Sequence, residues 1–184
     1  MQFHYFAYGS NMLTARLRAR CPSAAPIGRA EAAGFTLAFN KQSQDDSGKA
    51  MLRRAGGAEE RGHGVLFEVD AAELASLDRI EGVGKGYERE DAFPVRLLDG
   101  GGIVRARTYR AILTDEELKP YDWYLALVIA GAREHRLDEA HVAALRRTAF
   151  ATDPQPARKA RREALEALSV AGFPDYRTLL FGDE

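Results

Sequence analysis

The chain has 184 residues, 46% of them hydrophobic, with a formal net charge of −1. This length suits one domain with a sizeable core, and the near-neutral charge gives no bulk electrostatic case for nucleic acid or an anionic membrane as partner. A single cysteine, Cys21, excludes an intrachain disulfide and a cysteine-based zinc site; with no apolar run near the ~20 residues of a membrane span and no signal-peptide pattern, a reducing, cytoplasmic setting is expected.

Residues 2–8 read as a short, aromatic-rich strand. It runs straight into Gly9-Ser10-Asn11, and "SNMLTARLRARC" reads as a helix with Ser10 or Asn11 as its cap. Such a turn has two readings. It is either a plain chain reversal, or a place where free backbone N–H groups cradle a carboxylate or an oxyanion. "FTLAF" (35–39) alternates with period two and is expected to be a strand. "NKQSQDDSGKA" (40–50) is polar and is expected to be a mobile loop, able to close over a pocket. "HGVLFEV" (63–69) has the pattern of a buried strand.

Asp70 and Glu73 have capping-box spacing. Leu74, Leu77 and Glu81 then share one face of a helix that Gly82 should end. A carboxylate facing inward at the negative end of a helix is disfavoured as an anion, so a raised pKa is expected, suited to acid/base work. The plain alternative is that Glu81 reaches solvent or pairs with Lys85 or Arg89. "GVGKG" (82–86) fails as a phosphate loop, because Gly86 follows Lys85 where Ser or Thr is needed.

Residues 92–112 read as a hairpin turning at Asp99–Gly102. Helices are expected at 121–134, 138–150 and 156–171, with "TDPQP" separating the last two. Tyr124, Leu127, Val128 and Gly131 share a face of the first. The four histidines show no metal spacing, Cys21 has no visible activator, and Ser10 lacks the context of a serine nucleophile. Strands followed by helices suggest an α+β fold whose mixed sheet is able to close into a barrel.

"YFAYGSNM", "EGVGKGY" and "YLALVIAGAREHRL" together resemble the gamma-glutamylcyclotransferase family, over roughly residues 3 to 140. Gly9-Ser10-Asn11 is similar to that branch, and not to the YGTL-type turn of gamma-glutamylamine cyclotransferases or the GYGSL-type turn of the glutathione-specific branch. The resemblance implies an α+β fold: one domain over 1–184, a small mixed β-barrel with flanking helices, a cavity at its mouth, and 151–184 as a helical extension. It implies Glu81 as the catalytic acid/base. It implies a substrate-binding segment of Tyr5, Phe6, Ala7, Tyr8, Gly9, Ser10 and Asn11, with Tyr124 as a further contact. The implied reaction converts a small gamma-glutamyl substrate to 5-oxoproline and a free amine or amino acid. No cofactor and no metal are implied, because the substrate's own amine is the nucleophile. "GVGKGY" departs from the vertebrate enzymes' pattern after the glutamate, near the expected place of the leaving group. Release of a different gamma-glutamylated metabolite and a non-enzymatic binding module stand as alternatives, and the oligomeric state, monomer or homodimer, stays open.

Overall fold

The computed structural model describes residues 1–57 and 59–181. Strands β1 (Gln2–Ala7), β2 (Ala25–Ala33), β5 (Arg61–Asp70), β6 (Tyr87–Leu97) and β7 (Ile103–Ala111) close a barrel in the order β1-β5-β2-β6-β7. Every pair is antiparallel except β1 with β7, which meet in parallel at Tyr5 and Arg107. β3 (Phe35–Gln42) and β4 (Gly48–Arg54) form a separate hairpin. The barrel interior is apolar: Phe6, Phe67, Val65, Phe93 and Val95 are almost fully buried, and Phe6 stacks on Phe93.

The helices are α1 (Thr14–Arg18), α2 (Leu74–Glu81), α3 (Asp122–Glu134), α4 (Glu139–Arg146), α5 (Lys159–Val170) and α6 (Arg177–Phe181). Every residue of α3 from Asp122 to Ala132 is buried. A helix apolar on all sides needs cover on all sides. The turn at Ser10–Met12 supplies some of it, and α4, α5 and α6 supply more. The segment expected as an extension is therefore a packed layer. Tyr176 donates to the buried Asp122 carboxylate at 2.9 Å, and Asp153 accepts from Trp123 Nε1 at 2.9 Å and from Arg158 at 2.8 Å. Each buried acid is thus satisfied.

Four expectations need correction. Residues 10–18 do not form one helix. A three-residue 3₁₀ turn (Ser10–Met12) precedes α1, and neither Ser10 nor Asn11 caps it with a side chain. Residues 40–42 and 48–50 belong to β3 and β4, so only 43–47 is a turn, and Asp45, Ser47 and Lys49 bond one another across it. Asp70 does accept from Ala72 N, but Glu73 does not return the bond; its carboxylate takes the Ser23 hydroxyl at 2.6 Å. β2 was not foreseen, because "APIGRAEAA" contains Pro, Gly and Ala in place of β-branched residues; its register breaks between Pro26 and Gly28.

Candidate active site

β1 ends at Ala7, and the chain turns at once through Gly9. The reason is contact rather than a positive φ: Gly9 has φ −117°. A Cβ there would lie 2.8 Å from Ala50 Cβ and 3.3 Å from the Tyr124 hydroxyl oxygen. Only glycine lets β4 and α3 approach the turn so closely. Gly131 does the same one helix further on. A Cβ on it would be 2.6 Å from Leu13 N and 2.7 Å from Met12 Cβ, so α3 seats the 3₁₀ turn directly against its backbone.

α2 ends as its sequence suggests. Gly82 has φ 68°, Val83 N bonds Asp78 O at 3.0 Å, and Gly82 N bonds Arg79 O at 3.2 Å. This is a Schellman stop, and it delivers Glu81 to a cleft beside Gly9–Asn11. The cleft is narrow, with about 30 Å³ of open space, and is lined by Tyr5, Tyr8, Gly9, Ser10, Asn11, Ala50, Glu81, Tyr87, Tyr109 and Tyr124.

Glu81 is held in place by partners other than the Lys85 and Arg89 that the sequence suggests. Its Oε1 accepts from Asn11 Nδ2 at 2.8 Å and from Arg20 Nη1 at 3.2 Å. Arg20 also donates to Asn11 Oδ1 at 2.8 Å. A guanidinium can only donate, so it fixes the orientation of the Asn11 amide and turns Nδ2 toward Glu81 and the Tyr5 hydroxyl (3.0 Å). Neither Lys85 nor Arg89 is the partner: Arg89 pairs with Asp78 and Asp91. The Glu81 and Arg20 side chains are 13% and 20% exposed, sheltered enough for the pair to exceed an ordinary surface ion pair. Oε2 of Glu81 has no protein partner among the described residues.

The tyrosines divide by bonding. Tyr8 donates to Tyr109 O, Tyr87 to Ala50 O at 2.9 Å, and Tyr109 to Asp78 at 2.8 Å. Tyr5 and Tyr124 instead accept, from Asn11 Nδ2 and from Ala50 N at 3.1 Å. Tyr5 keeps its own proton available to a ligand, while the Tyr124 hydroxyl also meets the Ser10 side chain in a hydrogen bond. Burial pushes the pKa of both upward, and the Glu81 charge adds to this, so both stay protonated donors at neutral pH. The backbone N–H groups of Gly9, Ser10 and Asn11 have no acceptor among the described residues.

The structure therefore gathers Tyr5, Tyr8, Gly9, Ser10, Asn11, Glu81 and Tyr124 around one cleft. Phe6 and Ala7, expected with them, point elsewhere: both are core residues, 0% and 1% exposed. Strand alternation turns Phe6 away from Tyr5; Ala7, two residues on from Tyr5, is buried in the core without lining the cleft. Arg20, Tyr87 and Tyr109 were not singled out. Tyr87 closes the "EGVGKGY" stretch, a signal within the quoted motif; Arg20 and Tyr109 carried none.

Comparison with known proteins gives the family. Gamma-glutamylcyclotransferase of Homo sapiens is 35% identical over 141 residues, covering 73% of this chain and 72% of that protein. The chain belongs to the gamma-glutamylcyclotransferase family. The bovine member, from Bos taurus, is 34% identical over 140 residues, with 73% of this chain and 72% of that one covered. A solved structure named gamma-glutamyl cyclotransferase is 27% identical, with a TM-score of 0.80 over 90% of this chain and 99% of its own. The AIG2-like family model matches residues 62–145, which include Glu81. Membership in the gamma-glutamylcyclotransferase family accounts for the closed mixed barrel. None of the described helices is long and apolar enough to cross a membrane.

Proposed function

We infer that this cleft converts gamma-glutamyl amino acids or amines to 5-oxoproline and the free amine, with Glu81 moving the proton. The observation that carries the reading is the Glu81 carboxylate. One oxygen is anchored by Asn11 and Arg20, the other is unengaged, and a turn with open N–H groups lies alongside. Glu81 takes a proton from the substrate's α-ammonium. The freed amine attacks the γ-carbonyl carbon, a C–N bond closes the five-membered ring, and the carbonyl π electrons move onto oxygen. As the oxyanion collapses, the bond to the leaving nitrogen breaks and Glu81 returns its proton to that nitrogen; the ring nitrogen gives its second proton to the freed carboxylate, which passes it to the released amine. One carboxylate serves each of these transfers.

The tyrosine hydroxyls and the open N–H groups supply donors for the α-carboxylate and the developing oxyanion. Holding amine and carbonyl together can lower the barrier by up to ~7–11 kcal/mol. The attacking group belongs to the substrate, so the reading needs no protein nucleophile. Cys21 fits this: it is fully buried, and burial pushes its thiol up to about 11. Such a thiol suits a cytoplasmic setting. The partner required is a small gamma-glutamyl compound; neither nucleic acid nor membrane enters.

The test is turnover of gamma-glutamyl-alanine, with 5-oxoproline measured. Wild-type protein should form it, and Glu81→Gln, which keeps the shape, should lose at least ~10²-fold in kcat. Near-normal turnover in folded Glu81→Gln would overturn the assignment. Binding without turnover by wild type would make the chain a binding module.

A further inference from the structure

A hollow of about 410 Å³ opens between the α1 segment and α5. Arg20 ties it to the cleft: the residue lines the hollow, while its Nη1 donates to Asn11 and Glu81. Its Nε and Nη2 make no hydrogen bond among the described residues.

A second guanidinium lines the same hollow. Arg16 is only 6% exposed, yet it makes no hydrogen bond and no ion pair among the described residues, and its Nε is buried without an acceptor. Burial pushes its pKa down to about 10, the Arg20 charge adds to this, and Glu163 offsets it only in part. Arg16 is therefore still a cation at neutral pH. A buried cation short of acceptors is costly unless an anion joins it. The other charges on the hollow are of opposite sign and lie further out. Glu163 and Glu166, three residues apart on α5 and so on one face of it, are both exposed. Glu163 reaches only Lys159, at 3.6 Å, and Glu166 has no partner among the described residues. Between the two sets of charges the lining is small and apolar, with Ala15, Ala19 and Ala167.

We propose that this hollow is a second binding site, for a free α-amino acid with a small side chain. Its carboxylate sits on Arg16 and the open edge of Arg20, its ammonium faces Glu163 and Glu166, and its side chain rests on the alanines. A planar carboxylate suits two guanidinium edges with unused N–H groups. Because Arg20 is shared, a carboxylate on its outer edge competes for the charge that steadies Glu81. Occupancy then slows turnover with no contact between the two ligands. An amino acid is also what the inferred reaction releases, so this coupling, unlike the binding itself, rests on the cyclotransferase reading.

The probe is L-alanine, titrated into the full chain with the cleft saturated by 5-oxoproline and followed by protein-observed NMR. Resonances of α1 and α5 should shift. Acetate and ethylamine, each carrying one of the two charges, should bind about tenfold more weakly or less tightly still, the scale of one charge-assisted contact. Arg16→Met keeps the stem and removes the charge. It should weaken L-alanine binding by about tenfold or more, with Tm unchanged or raised, since no internal partner is lost. Glu163→Gln/Glu166→Gln, at exposed positions that do not threaten the fold, should weaken binding by about two- to fivefold. L-Alanine bound no more tightly than acetate, or equally well by wild type and both variants, overturns the site. For the coupling, kcat on saturating gamma-glutamyl-alanine should fall several-fold as L-alanine is added, and the double variant should resist this. A rise in KM alone, or an equal fall in kcat in the double variant, overturns the coupling and leaves the cyclotransferase reading intact. No 5-oxoproline from wild type overturns that reading and the coupling with it, while the titration still decides the site.

Discussion

Asn11 is the residue on which the site's geometry turns. It touches Arg20, Glu81 and Tyr5 at once, which is why its side chain does not cap the turn that follows. Asn11→Asp tests this. The substitution sets a second carboxylate 2.8 Å from Glu81 Oε1, where an amide now donates. Like charges so close resist ionising together, so the acid limb of the kcat/KM profile should move to higher pH by about one unit or more. A profile that keeps its acid limb would remove Asn11 from the proton-transfer machinery. Ser10→Ala is the milder probe. If backbone groups do most of the holding, it should weaken 5-oxoproline binding by only about one hydrogen bond, roughly 0.5–1.5 kcal/mol, read by titration calorimetry.

At the scale of elements, two glycines set how closely the pieces meet. Gly9→Val would press a branched side chain into Ala50 and the Tyr124 hydroxyl. Titration should show loss of 5-oxoproline binding even though Glu81 is untouched. Gly131→Ala sets a Cβ against the backbone of Met12 and Leu13, atoms that cannot rotate away. Overpacking of this kind costs about 1–3 kcal/mol, and for a domain of this size each kcal/mol lowers Tm by about 2–4 °C. Activity should fall as well, because the displaced segment carries Asn11. A variant with unaltered Tm and kcat would show that α3 yields at this contact. The β3–β4 hairpin, tied at Gln42 N to Leu113 O and at Gly48 N to Lys119 O, is expected to show little change in hydrogen exchange on ligand binding. This reverses the lid that its polar composition suggests.

For the whole molecule, acid sensitivity has an identifiable source outside the cleft. His141 on α4 packs its ring 4.8 Å from that of His63 on β5. Burial, and secondarily His63, lower its pKa to about 4. The folded state thus prefers neutral His141, whereas the unfolded chain takes up a proton near the ordinary histidine value. Stability from this group is present above about pH 6.5 and is lost progressively as the pH falls toward 4. The loss should be of order 2–3 kcal/mol. Chemical denaturation of wild type and His141→Leu between pH 7 and 4.5 checks this, and the variant should show the shallower decline.

Much of this protein was legible along the chain, and the division follows the range of the forces involved. Local signals sufficed where a feature depends on neighbours in sequence. The Gly82 stop after Glu81, the hairpin at Asp99–Gly102, the alternation of β5 and the apolar length of α3 are of this kind. So are the two stretches, around Gly9 and Glu81, that carry the family's signature. Tertiary structure decided whatever depends on residues distant in sequence. Asn11 and Glu81 are 70 positions apart, and their hydrogen bond, made only when the barrel closes, turns a cap candidate into a positioning residue. β2 has little intrinsic strand preference and is a strand because β5 and β6 lie on either side of it. Phe6 and Ala7 stand within the quoted motif, yet both are packed into the core, Phe6 by the strand's own alternation. A motif records which residues travel together; only packing decides which of them face the ligand. The cation of Lys41 is the same lesson with the sign reversed: it sits in a polar run with every mark of a solvated loop, and folding buries it beside Glu81.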